Sequence, residues 1–240
     1  GNTIQSNATS ATIGGGNGNV VITGAGRSTI GGGDFNVAEG PYSFIGGGSG
    51  NAVSIIDGYF DSLFSGIGGG QGNTVVGNFN FTGGGKTNLI IGHSSMIGGG
   101  SYNEISYFPA YVAGPESAVI GGGWSNRVQA SYGTIAGGYR NSIAKDSDYA
   151  FIGGGSLNTA SGSASVIGGG DGNRASGLTA TVGGGQYNYA TNDFATVGGG
   201  FFNVASGTYA TVPGGAYNQA TRDNSFAAGL GAEAIHKGTF

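Results

Sequence analysis

Residues 180–194 read Ala-Thr-Val-Gly-Gly-Gly-Gln-Tyr-Asn-Tyr-Ala-Thr-Asn-Asp-Phe, and the following residues begin again with Ala195-Thr196-Val197-Gly198. Working outward from this stretch, a triplet at or near Gly-Gly-Gly recurs thirteen times, starting at residues 14, 31, 46, 68, 83, 98, 121, 136, 153, 168, 183, 198 and 213. Five residues after the start of each triplet stands an asparagine: Asn19, Asn36, Asn51, Asn73, Asn88, Asn103, Asn126, Asn141, Asn158, Asn173, Asn188, Asn203 and Asn218. Where nothing is inserted the period is 15 residues. A fixed short period means one structural unit per repeat, stacked on its neighbours.

Inside each repeat the apolar residues keep their phase. Ile or Val precedes the triplet almost everywhere, from Ile13 and Ile30 to Val197 and Val212, with Thr82 the polar exception. Two residues earlier comes a small side chain, such as Ala11, Ser43, Ala150, Ala180, Ala195 or Ser225. A second apolar site lies two residues after the asparagine, from Val21 and Ala38 to Ala205 and Ala220. Period-two alternation on both sides of the triplet predicts two short strands per repeat, joined by turns. Gly40, Gly77, Gly92, Gly162, Gly177 and Gly207 fall in the second turn, where we expect positive φ. A helix is excluded, because glycine costs roughly 1 kcal/mol per residue relative to alanine in a helix interior. Like-with-like registration favours parallel stacking over an antiparallel meander.

The predicted fold is therefore all-β: a parallel β-solenoid, or β-roll, of about 15-residue coils with two short strands per coil. It should run over 1–240 as a single continuous repeat domain, with loop insertions near 54–66 and 106–117. The first insertion carries Asp57, Tyr59, Phe60, Asp61 and Phe64; the second carries Tyr107, Phe108, Pro109, Tyr111, Pro115 and Glu116. Insertions in solenoids map to loops that often lie on a binding face. The asparagine column is expected to form an internal ladder, each amide donating to the coil above and accepting from the coil below.

Composition narrows the function. Glycine supplies 57 of 240 residues and charged residues only 8%. The phased Ile and Val residues and an aromatic content of 11% separate the chain from disordered and collagen-like sequences. A net charge of -4 offers no basic footprint, so nucleic acid is not an expected partner. No apolar run reaches the ~20 residues of a membrane span. There is no cysteine, hence neither disulfide framework nor thiolate site. The Thr/Asn/Gly-rich, Lys-poor composition points to an extracellular or cell-surface location.

Catalytic chemistry is sparse. His93 and His236 sit in distant repeats, and the carboxylates are few and scattered. Asp146 and Asp148 share a loop with Lys145 and read as solvated, with a weak calcium site the alternative. The glycine triplets are not phosphate loops, since neither a helix nor Lys-Ser/Thr follows them. No enzyme activity, cofactor or metal is expected. Thr12, Thr29, Thr134, Thr181, Thr196 and Thr211 share one phase, but Phe44, Phe81, Phe151 and Phe226 interrupt it, which spoils a flat ice-binding array.

The aromatics are the candidate functional residues. Tyr42, Phe64, Phe79, Tyr132, Tyr149, Phe194 and Tyr209 lie four residues before a triplet. Phe35, Tyr102, Trp124, Tyr139, Tyr187, Phe201, Phe202 and Tyr217 lie in the turn after one. We expect two columns, the first buried between protomers and the second facing solvent or a ligand.

One coil, Ser225-Phe226-Ala227-Ala228-Gly229-Leu230-Gly231-Ala232-Glu233-Ala234 followed by Gly238, resembles the head repeats of trimeric autotransporter adhesins, the YadA-like β-roll. The other thirteen coils carry one more residue and Gly-Gly-Gly-x-x-Asn-x-Ala, similar to glycine-rich bacterial surface and phage-fibre repeats. The resemblance implies a left-handed roll and a trimeric surface fibre. Gly1-Asn2-Thr3-Ile4 repeats the pattern of Gly18-Asn19-Val20-Val21, so head-to-tail association is a further expectation. The expected function is a non-enzymatic extracellular structural protein that forms a fibre or filament by self-association. The alternative is an adhesin or phage-fibre head that binds a receptor or glycan.

Overall fold

The computed structural model describes residues 1–56, 62–107 and 114–239. Asp57, Tyr59, Phe60, Asp61, Phe108, Pro109 and Tyr111 of the two insertions lie outside the described residues. The fold is all-β and parallel, with no helix among the described residues. Each coil of about 15 residues contributes two strands of two or three residues. The chain divides into two compact units, Gly1–Ser125 and Asn126–Phe240.

In the first unit, the strands preceding the triplets form one parallel ladder. They are Thr12–Ile13, Thr29–Ile30, Phe44–Ile45, Gly66–Ile67, Phe81–Thr82, Met96–Ile97 and Val119–Ile120. The strands following the asparagines form a second, running from Thr3–Ile4 through Ala52–Ser54 to Glu104–Ile105. The second unit repeats the arrangement, with Thr134–Ile135 through Thr211–Val212 in one ladder and Arg127–Val128 through Glu233–Ala234 in the other. Register is one to one: Ile30 pairs with Ile45, and Val182 with Val197. A one-residue slip would turn every buried side chain outward, so the alternating pattern fixes this register.

The interior is a narrow double row. Ile30, Ile45, Ile67, Ile97 and Ile120 are fully buried on one side of the first unit, and Val21, Ala38, Val53, Val75 and Ile90 on the other. In the second unit, alanines at 160, 175, 190, 205 and 220 face Ile152, Ile167, Val182, Val197 and Val212. Each buried Ile or Val contributes about 1.5–3 kcal/mol from transfer out of water. No rung holds more than a few such groups, so stability accumulates by stacking rather than from one large core.

The structure adds a third side to the coil. The residue immediately after each triplet makes a parallel bridge to its counterpart, from Asn17 with Asp34 up to Ser101 with Trp124 in the first unit, and from Tyr139 with Ser156 up to Phe201 with Ala216 in the second. It also corrects the expected turn chemistry. Gly40, Gly92, Gly162, Gly177 and Gly207 do not have positive φ; of the six glycines, Gly77 alone does, at 99°. The other five are required by close approach: a Cβ at Gly162 would stand 1.9 Å from the Gly177 carbonyl oxygen. The left-handed residue comes two positions later, at Tyr42, Phe79, Ser94, Ala164, Thr179 and Tyr209, with φ between 51° and 59°.

Candidate functional site: the asparagine column and the aromatic face

The asparagines are the most regular polar feature. All thirteen are at most 1% exposed. Asn73 shows the pattern. Its backbone N–H and its Nδ2 both donate to Asn51 Oδ1, at 3.0 Å each. Nδ2 also donates to the Gly69 and Gly85 carbonyls, at 3.0 Å each. Asn73 Oδ1 then accepts from the backbone N–H and Nδ2 of Asn88. Each amide thus ties three coils, holding the glycine triplets of its own and the following coil and the asparagine of the preceding one. The column starts earlier than the Gly-Gly-Gly rule places it: Asn2 Oδ1 accepts from the Asn19 backbone N–H at 3.1 Å.

A second internal column escaped the sequence reading. In the first unit the small-residue position holds Ser28, Ser43, Ser65, Asn80 and Ser95, all buried. Ser43 N donates to Ser28 Oγ, Asn80 N to Ser65 Oγ and Ser95 N to Asn80 Oδ1, at 3.1, 3.1 and 2.9 Å. The second unit has Ala150, Ser165, Ala180, Ala195, Ala210 and Ser225 there. The signal was present as Ser/Asn in phase, but read as merely small. Two buried hydroxyls, Thr82 Oγ1 and Ser165 Oγ, have no partner.

The aromatics sit outside. Those four residues before the triplet stack face to face in separate islands rather than as one column. Tyr42, Phe64 and Phe79 have ring centroids 4.5 and 5.5 Å apart, with Arg27 lying over Tyr42. In the second unit Tyr132 stacks on Tyr149 at 4.8 Å, and Phe194 on Tyr209 at 4.7 Å. The cause of the breaks is plain, since Ser94, Ser117, Ala164 and Thr179 occupy the same position in the intervening coils.

The expected second column is in fact two adjacent positions. Trp124, Tyr139 and Phe201 lie on the third ladder. Phe35, Tyr102, Tyr187, Phe202 and Tyr217 lie one residue later, with φ between 51° and 59°. Tyr187, Phe202 and Tyr217 stack, and Phe201 meets each of the three edge-on. Tyr102 and Trp124 meet edge-to-face at 5.9 Å.

The first unit carries a contiguous apolar surface. Phe44, Phe81 and Met96 project from the pre-triplet strands beside the Tyr42, Phe64 and Phe79 stack. All six are at least 40% exposed. Gly66 stands in the ladder between Phe44 and Phe81. It leaves a cleft of about 270 Å³, bounded by these rings with Ser65 and Asn80 at its floor.

Titratable groups are dispersed. The His93 Nδ1 accepts from the Asn78 backbone N–H at 3.3 Å, in the first unit, while His236 belongs to the second. Asp148 accepts from the Ser131 backbone N–H at 2.9 Å. Asp171, on the third ladder, accepts from the Ser156 hydroxyl and from Gln186 Nε2, and these bonds hold its carboxyl below the usual aspartate range. Among the described residues, no three His, Asp or Glu side chains cluster to hold a metal ion. No protein-family model matches this chain, and no curated protein is similar to it in sequence. The fold and the site define a parallel β-solenoid with an amide-laddered interior and stacked aromatics on its surface.

Proposed function

We propose that this chain is a structural β-solenoid that works by associating with copies of itself, as part of an extracellular or cell-surface fibre, and without catalysis. The observation that carries this reading is the first unit's face of six exposed apolar side chains on consecutive coils. Contiguous apolar patches of this kind mark interaction surfaces in soluble proteins. The resemblance of the last coil to trimeric adhesin heads supports the surface location.

The aromatic geometry favours self-association over glycan binding. A sugar ring stacks on an open aromatic face. Here the ring faces are spent on one another along each stack, at 4.5 to 5.5 Å, leaving mostly edges towards solvent. Edges and gaps between coils suit interdigitating side chains of another protein surface. Sedimentation velocity over a micromolar range, with negative-stain microscopy, should show regular oligomers or filaments, and a glycan array should show no saturable binding. A monodisperse monomer that binds a glycan saturably would replace this reading with the adhesin-head alternative.

A further inference from the structure

The outward positions of the pre-triplet ladder in the first unit run Thr12, Thr29, Phe44, Gly66, Phe81, Met96, Val119, each paired with the next, and the six from Thr29 to Val119 carry the face. Two residues earlier in the same coils stand Arg27, Tyr42, Phe64, Phe79, Ser94 and Ser117. Both columns are their own complement when reversed about a point midway between the Gly66 and Phe81 rungs. Reversal sets Phe81 against Gly66, Phe44 against Met96 and Thr29 against Val119. In the neighbouring column it sets Tyr42 against Ser94 and Phe64 against Phe79. A large side chain meets a small or flexible one at each rung, except where two rings can pack. Arg27 comes opposite Ser117, one residue along the chain from Glu116.

The glycines flanking the face point the same way. The middle residue of each triplet is glycine in all thirteen coils, whereas the first position admits Ala136 and Pro213. At Gly47 and Gly84 the backbone itself calls for glycine, with φ of 158° and 157°, but at the other rungs of the face internal packing does not. A Cβ at Gly32 or Gly69 would find nothing closer than 3.9 Å, one at Gly99 nothing within 4 Å, and none of these three has positive φ. At these three rungs glycine lacks an internal reason, which is the mark of a surface that another backbone approaches closely. Six rungs about 4.8 Å apart, six residues wide at about 3.3 Å each, give roughly 600 Å² of flat face. Side-chain relief brings that towards the roughly 800 Å² per partner of a standard interface.

We propose that this face docks a second copy of the chain, antiparallel, about a two-fold axis that runs along the strands between the Gly66 and Phe81 rungs. The proposal rests on the self-association reading and specifies its contact. Phe81, whose ring already leans over Gly66 of its own chain, packs into the remaining Gly66 cleft of the other copy, and the glycine margins let the two sheets close together. A two-fold interface of this kind is self-complementary by construction, so it ends at a dimer of faces and leaves the remaining sides of each coil free for other contacts.

The test is a residue swap in the full chain, with folding checked by circular dichroism and association measured by sedimentation. Phe81→Gly removes the knob and Gly66→Phe fills the hole, so each alone should weaken association about tenfold or more. The double variant exchanges knob and hole and should restore it. Should Gly66→Phe not fold, Phe81→Gly and Met96→Ser carry the same expectation. Because the chain has no cysteine, orientation can be read by oxidation. Thr29→Cys mixed with Val119→Cys should cross-link, and Thr29→Cys alone should not. Wild-type chain that stays monomeric overturns both this proposal and the assembly reading beneath it. Wild-type oligomers that Phe81→Gly leaves unchanged, or that cross-link through Thr29→Cys alone, overturn this face and its orientation while the assembly reading stands.

Discussion

A buried asparagine is costly unless its amide is fully bonded, and here the bonding is what makes the coil close. Truncating Asn73 to Ala removes its own bonds to the Gly69 and Gly85 carbonyls and orphans the buried Asn88 backbone N–H. Each buried unsatisfied group costs about 1–3 kcal/mol. Asn73→Ala should therefore lower stability by about 3 kcal/mol or more, seen as a fall in the urea midpoint without an increase in slope. Thr82 is the opposite case. It stands in the Ile/Val position, fully buried, with a hydroxyl that bonds to nothing. Thr82→Val keeps the shape and removes the orphan, so the same urea titration should show a gain of about 1 kcal/mol. A loss would mean that the hydroxyl has a partner in solution, such as an enclosed water.

At the scale of the element, the triplet shows two glycines side by side with different reasons for being there. Gly70 has φ of +92°, and a Cβ on it would lie 2.1 Å from the Gly85 carbonyl oxygen. Gly69 has neither constraint, its nearest atom being 3.9 Å away. Gly70→Ala should then disrupt the fold locally, with a loss of about 3 kcal/mol or more, by the measure of a left-handed residue that also overlaps backbone. Gly69→Ala should leave stability within about 1 kcal/mol of wild type, with a small gain from the stiffer unfolded chain. Thermal melts of the two variants, one residue apart, check both. The strands, the parallel register and the asparagine column were legible in the sequence because they rest on phase alone. The turns were not. Local rules assign the left-handed conformation to glycine, whereas here glycine at positions such as 162 answers to the neighbouring coil's carbonyl. Aromatics at Tyr42 and Phe79 take the left-handed site instead. Its cost of about 1–2 kcal/mol is offset in part by ring stacking of about 0.5–1.5 kcal/mol. The third ladder was also hidden, since Asn17, Asp34, Ser49, Gln71 and Lys86 carry no strand propensity and pair by a single bridge each. The apolar face was visible as a set of aromatics, but its complementarity depends on which coil each residue occupies.

Within each unit contacts run from one coil to the next, so the stability of a unit is close to a sum of like terms along its stack. In a globular domain the removal of fifteen consecutive residues takes away part of a shared core. Here it should take away one rung. Residues 183–197 form such a rung in the second unit: Val182 already pairs with Val197, Ala175 with Ala190, and Ala190 with Ala205. Deleting 183–197 joins Val182 to Gly198, restores the order of β-branched residue then triplet, and brings Asn173 to the place Asn188 holds beneath Asn203. The shortened chain should keep its β-sheet circular dichroism and unfold cooperatively, with a modest drop in midpoint from the loss of one inter-coil contact. Deleting 183–190 instead removes about half a coil, turns the following inward residues outward and breaks the asparagine column, and should abolish folding of the second unit. If both deletions unfolded the unit equally, coil-by-coil additivity would be wrong and the interior would have to act as a single cooperative core. If both were tolerated, the phase of the apolar residues would not be what selects the fold.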